Sequence, residues 1–170
     1  MTEKLIGAIA QILALVPTGI PRKNREAVAC IWMYGFLNGY SLTNIQNLIR
    51  QFNNEMNYGK FWKFLQHNAT FGMNVPSWST YAKPIPNGGA TAGYDTIAQS
   101  VADRINWDRR RGISPTSDSY LMDAHNAHYN SSPQYASVVS QYSAETTTLA
   151  VQIGLLPAIV LGIVGITSRS

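Results

Sequence analysis

A mainly α-helical domain with a small β-hairpin or loop lobe, and an apolar helix at each end, is the fold class that this sequence predicts. Three observations lead there. Apolar residues recur at three- and four-residue steps in three separate stretches: Ala27, Cys30, Ile31 and Tyr34; Leu42, Ile45, Ile49 and Phe52; Ile97, Val101 and Ile105. Between residues 72 and 95 that period is replaced by Pro76, Pro84, Pro86, Gly88, Gly89 and Gly93 among scattered Ser and Thr, the composition of turns. Residues 5–21 and 146–168 carry no charge at all.

The N-terminal run, LIGAIAQILALVPTGIP, follows Lys4 and has the length of a signal peptide's apolar region, but it lacks a small-x-small cleavage site. It is read as a retained amphipathic or buried helix ended by Pro17 and Pro21. Arg22, Lys23 and Arg25 then form a basic collar that suits either lipid headgroups or an ordinary solvated turn. Asn24 is placed to cap a helix over residues 26–38 that Gly39 ends. Ser41 or Thr43 opens the next helix, which runs out near Glu55 with Gly59 as its stop. Past the Pro/Gly lobe, the helix of Ile97, Val101 and Ile105 turns Asp103 and Arg104 outward. A further helix fits residues 120–128, and Ser132–Pro133 opens a last one with Val138, Val139 and Tyr142 inward.

The C-terminal run contains LAVQIGLLPAIVLGIVGI, close to the roughly 20 apolar residues that cross a bilayer. It is expected to enter membrane lipid; the other reading is a tail helix buried in an oligomer or virus shell. Arg169 is its one flanking cation and sets no orientation. The chain therefore divides into residues 1–21, a domain over 22–144, and 145–170.

In 170 residues, 45% are apolar, which excludes gross disorder, and only 13% are charged, about half the usual quarter. The net charge of +4 is uneven: residues 1–111 hold twelve of the thirteen Lys and Arg against six acids. A basic front half suits an anionic polymer or anionic lipid, though it lacks the density of a dedicated nucleic-acid binder. A single cysteine, Cys30, excludes an internal disulfide and a CxxC metal site. His125 and His128 share a helix face without an evident third ligand, and His67 stands apart, so neither metal nor cofactor is expected. Arg109, Arg110 and Arg111 suit wall polymers or phosphate, or simply a helix end where cations meet the dipole.

Glu55 is the candidate catalytic residue. It ends an apolar-striped helix just ahead of the Pro/Gly lobe, where a carboxyl with a raised pKa can protonate a leaving oxygen. Trp62 and Trp78 flank the supposed cleft, and aromatic faces stack on sugars as readily as they fill cores.

Four segments in order resemble the glucosaminidase-type peptidoglycan hydrolases, which have a lysozyme-like fold of mixed α+β type. QFNNEMNYGK is similar to the family's acid-bearing stretch E-(S/T)-x-(W/Y/F)-G-K, and NATFGMNVP to its NN-x-FG-(I/M)-K strand entry. GYDTIAQSVADRINWD and DSYLMDAHNAHYNSSPQYASVV resemble its Y-(D/R)-S-x-x-x-S helix and its closing tyrosine helices. The likeness spans residues 25–143. It implies Glu55 as general acid, Tyr94 as a tyrosine near the sugar (or else a core aromatic) and Asp95 beside it. It also implies Gly59, Phe71 and Gly72 as the cleft's floor and Ser100 and Asp103 as helix-capping and packing residues; the substrate-binding residues expected are Tyr58, Trp62, Phe71 and Trp78.

The sequence departs from the family where SWSTYAKPIPNGGATAG, the stretch that often supplies a second carboxylate, contains no acid, and where Asn74 replaces lysine. That leaves attack by the substrate's own N-acetyl group or ring closure by its 6-hydroxyl. The expected function is a peptidoglycan glycan-strand hydrolase or lytic transglycosylase held on a membrane or phage virion among other virion proteins, or else in a bacterial cell envelope. The alternative is an inactive lysozyme-like structural protein of a phage particle, locked in place by its apolar ends.

Overall fold

The computed structural model describes residues 3–15, 20–57 and 59–142. Over these the chain is mainly helical with one two-stranded sheet: α1 (Glu3–Leu13), α2 (Arg22–Leu37), α3 (Leu42–Glu55), α4 (Trp62–His67), β1 (Lys83–Pro84), β2 (Ala92–Gly93), α5 (Ile97–Arg110), α6 (Tyr120–Asn126) and α7 (Tyr135–Gln141). Helices α1, α2 and α5 pack on one another, and α3 lies between α2 on one side and α6 and α7 on the other. The antiparallel strands pair Lys83 with Gly93 and Pro84 with Ala92, and a bridge from Asn74 to Thr91 extends the lobe toward the helical body.

Helix α3 follows from its sequence. The Ser41 hydroxyl accepts the Asn44 amide at 3.2 Å, and Ile45, Leu48, Ile49 and Phe52 form its buried stripe. Its end is equally determined, because Asn57 (φ 46°) and Gly59 (φ 74°) turn the chain through the left-handed region. A Cβ on Gly59 would stand 2.2 Å from the Asn24 side chain, so only glycine lets the turn close against α2. Helix α5 opens with a reciprocal capping box between Thr96 and Gln99.

Several expectations are corrected here. Helix α2 starts at Arg22, so Asn24 is a buried residue of its first turns rather than its cap. The basic collar serves packing: the Arg25 guanidinium donates to the Ala14 and Ile20 carbonyls, and Lys23 Nζ donates to Leu65 O at 2.7 Å. In α1, Ile6 and Ala10 are buried, which makes this helix part of the body. Val138 is exposed while Val139 is buried. The expected membrane helix over 145–170 lies outside the described residues, and no helix among those described is long and apolar enough to cross a membrane.

The largest correction concerns Asp103 and Arg104, which face inward. Arg104 is 0% exposed and forms an ion pair with Asp108 one turn on. Its other terminal nitrogen donates to Gln51 Oε1 of α3 and to the Tyr120 hydroxyl of α6, both at 3.0 Å. Asp108 also accepts the hydroxyls of Tyr40 and Tyr120 at 2.7 and 2.6 Å. Burying two charges costs several kcal/mol each unless partners replace water, and here five groups from four parts of the chain do so. Removing one partner strands the other. Asp108→Ala is expected to lower the unfolding free energy by about 3–5 kcal/mol in urea titrations; a loss below about 1 kcal/mol would show that the pair is dispensable.

Candidate active site

Glu55 is the last residue of α3, which carries its side chain to the boundary between the helical body and the lobe. Three donors converge on it. The Gly72 amide donates to Oε2 at 2.5 Å, the Tyr129 hydroxyl donates to the same oxygen at 3.2 Å, and the Tyr135 hydroxyl donates to Oε1 at 3.2 Å. A Cβ on Gly72 would lie 2.6 Å from Oε2, so glycine is what allows the backbone amide to reach the carboxyl. Burial pushes the Glu55 pKa up; the hydrogen bonds from Gly72, Tyr129 and Tyr135 and the charge of Arg104 pull it down, and burial prevails. Oε1 has a single donor, which leaves it the oxygen with a free lone pair to hold the proton.

Behind Tyr129 lies the buried Arg104–Asp108 ion pair. The Arg104 guanidinium lies 4.4 Å from the centre of the Tyr129 ring and 5.1 Å from that of Trp107, and Tyr129 meets Trp107 edge to face. Arg104 thus fixes the ring whose hydroxyl touches Glu55.

Gly72 and Tyr129 also line a cavity of about 440 Å³, together with Asn74, Trp78, Trp107 and His128 among others. Among the described residues its lining contains no Asp or Glu. His128 occupies the left-handed region (φ 64°), a rare backbone state for a non-glycine residue.

Of the residues expected at the site, Trp78 lines this cavity, and Glu55 lies behind its wall, bonded to two of the lining residues, Gly72 and Tyr129. Tyr58 lies outside the described residues. Phe71 is fully buried under the Arg104 guanidinium, so it is core beneath the cleft and not a surface for substrate. Trp62 is half-buried at the start of α4, where it meets His67 edge to face, and is not part of the cavity lining. Tyr94 is buried, with its hydroxyl's pKa raised by burial and by the neighbouring Asp103. Asp95 is exposed, ion-paired with Lys83 at 2.6 Å, and lines a separate cavity with Arg22, Lys23 and Glu26. Neither hydrogen-bonds to Glu55. Ser100 does act in packing, accepting the Thr70 amide at 3.0 Å.

Of the residues that surround Glu55, Gly72 was expected at the cleft's floor, whereas Tyr129, Tyr135 and Arg104 lacked individual signals. The spacing of the closing tyrosines and the Arg104/Asp108 separation of four residues were the available cues. Among the described residues no group of three His, Cys, Asp or Glu side chains is arranged to hold a metal ion. Comparison with protein-family models, curated proteins and solved structures finds no match to this chain.

A raised carboxyl pKa has a thermodynamic consequence. The folded state holds the proton more tightly than the unfolded one, so the Glu55 contribution is complete below the ordinary value of 4.5 and is lost as pH rises through the raised folded value. Glu55→Gln cannot ionise. Thermal melts are therefore expected to show the variant gaining on the native protein as pH is raised through this window, and a constant difference between the two would contradict the elevated pKa.

Proposed function

We propose that this chain cleaves the glycan strand of peptidoglycan, with Glu55 as the general acid on a lysozyme-like scaffold. The observation that carries the reading is a carboxyl whose pKa is raised by burial, held at the end of a helix beside a cleft walled by Trp78 and Trp107. General-acid catalysis needs a group that stays protonated near working pH yet forms a tolerable anion after transfer. The geometry of Glu55 works toward both, because burial shifts it toward the acid and three donors wait for the carboxylate. The order of the four motif-like segments in the sequence gives the reading its substrate class.

In this mechanism Glu55 protonates the glycosidic oxygen and the C1–O bond breaks. Among the described residues no carboxylate lines the cleft to act as nucleophile or to activate water on the far face. The electron-poor C1 is then captured by an oxygen of the substrate itself, either the N-acetyl carbonyl or the 6-hydroxyl. In the first case water then attacks C1 of the resulting oxazolinium ring, the ring C–O bond breaks, and the water's proton passes to the Glu55 carboxylate. In the second case the hydroxyl proton passes to the Glu55 carboxylate, which restores the acid and leaves an anhydro sugar. Neither step draws on a cofactor.

The apolar C-terminal segment supports a location at a membrane, in a phage virion with other virion proteins or in a cell envelope. A non-enzymatic scaffold is the second reading. It is favoured by the separation of Tyr94 and Asp95 from Glu55 and by the acid-free lobe. A zymogram of the full chain on purified peptidoglycan decides between them. The native protein is expected to clear the gel and Glu55→Gln to leave it intact, with the released fragments lighter by one water if the 6-hydroxyl is the acceptor. Two folded but inert proteins would establish the scaffold.

A further inference from the structure

Helix α5 ends in three consecutive arginines whose surroundings differ. Arg109 is committed to the fold, donating to Asn38 Oδ1 at 2.8 Å and to Asn106 Oδ1 at 3.3 Å, which ties α5 to the end of α2. The other two are laid on indoles. The Arg110 guanidinium lies 4.8 Å from the centre of the Trp78 ring, and the Arg111 guanidinium lies 5.7 Å from that of Trp107. Both tryptophans and Arg111 line the 440 Å³ cavity beside Glu55, while Trp78 and Arg110 also line an adjoining cavity of about 330 Å³.

Stacking restricts a guanidinium's motion but leaves its N–H edge free, the arrangement that receives an oxyanion through two parallel hydrogen bonds. Both arginines are exposed, and neither makes an ion pair with a carboxylate among the described residues. Among the described residues the first cavity has no acid in its lining; the second holds one, Asp103, which is buried and accepts the Ser79 hydroxyl. A concave surface on which exposed cations outnumber acids concentrates negatively charged groups.

We infer that Arg110 and Arg111, braced on Trp78 and Trp107, form an oxyanion-binding subsite of the Glu55 cleft that selects glycan strands by the charged groups they carry. The inference rests on the proposed glycan-cleaving function. Its ligand chemistry is a carboxylate or phosphate attached to the strand, supplied either by the stem peptides or by a phosphate-bearing wall polymer. Trp78 and Trp107 would face the sugar rings while the guanidinium edges hold the appended anion, so the subsite discriminates substituted from bare strands without taking part in bond cleavage.

The test is calorimetric binding with the full chain carrying Glu55→Gln, which removes turnover, alone and combined with Arg110→Gln and Arg111→Gln. Three probes are used: strand fragments with stem peptides, the same fragments stripped of peptide, and poly(glycerol phosphate). The Glu55→Gln protein is expected to bind stem-bearing fragments at least about tenfold tighter than stripped ones, an advantage that added salt reduces and the double arginine substitution abolishes. Arginine-dependent binding of poly(glycerol phosphate) instead would support the subsite and assign the phosphate as its ligand. Equal affinity for bare and substituted strands with no binding of the phosphate polymer, or a preference that survives the double substitution, would overturn it. Matching melting temperatures of the Glu55→Gln protein with and without the double arginine substitution check that a lost preference does not come from a lost fold. Cleavage is read separately. A native protein that binds selectively without cutting contradicts the enzyme, whereas one that cuts both strands alike contradicts the subsite.

Discussion

Arg104 sits at the point where the separate parts of this molecule meet, and its need for partners explains much of their arrangement. A fully buried guanidinium has lost its water and holds its place only through what replaces it. Asp108 supplies the opposite charge, Gln51 reaches it from α3, and Tyr120 from α6, while Tyr40 secures Asp108 from the turn before α3. The same group lies under the ring of Tyr129, whose hydroxyl ends on Glu55. Stability and site geometry are thus consequences of one buried charge.

Two opposing effects act on Glu55, and their balance defines the site. Burial alone would make a poor acid of it, since the proton would be held too tightly to be given up. Hydrogen bonds alone would make it an ordinary carboxylate with no proton to give. The side chain lies between these limits because its donors are neutral, an amide and two phenols, while the nearby cation Arg104 acts on it by charge alone, without a bond to the carboxyl. A direct ion pair there would have left Glu55 ionised. The network keeps Arg104 engaged with Asp108, so its charge lowers the Glu55 pKa from a distance without overcoming burial.

Helices α2, α3 and α5 were legible because their apolar residues repeat with the helical period, and the lobe because Pro and Gly punctuate it. Glu55 was legible from its place at the end of α3. What escaped was whatever depends on partners distant in the chain. Arg104 reads as solvent-facing because charge usually is, and only Asp108 at a four-residue spacing hints otherwise. Asp95 is adjacent to Tyr94 in sequence, yet successive residues at a strand's end point opposite ways: one hydroxyl goes into the core and the other residue's carboxylate goes out to Lys83. Phe71 and Gly72 show the same limit, since one is core and the other touches the acid through its backbone, a contact that no side-chain pattern announces.

The central claim is that Glu55 is an acid whose proton is retained by burial against three hydrogen bonds. Its most direct test is the titration of the Glu55 carboxyl carbon by nuclear magnetic resonance in the native protein, assigned by comparison with Glu55→Gln. A midpoint above the ordinary value of 4.5 is the expected result. A midpoint at or below it would mean that the donors outweigh burial, and that Glu55 is an anchored carboxylate and not a proton donor.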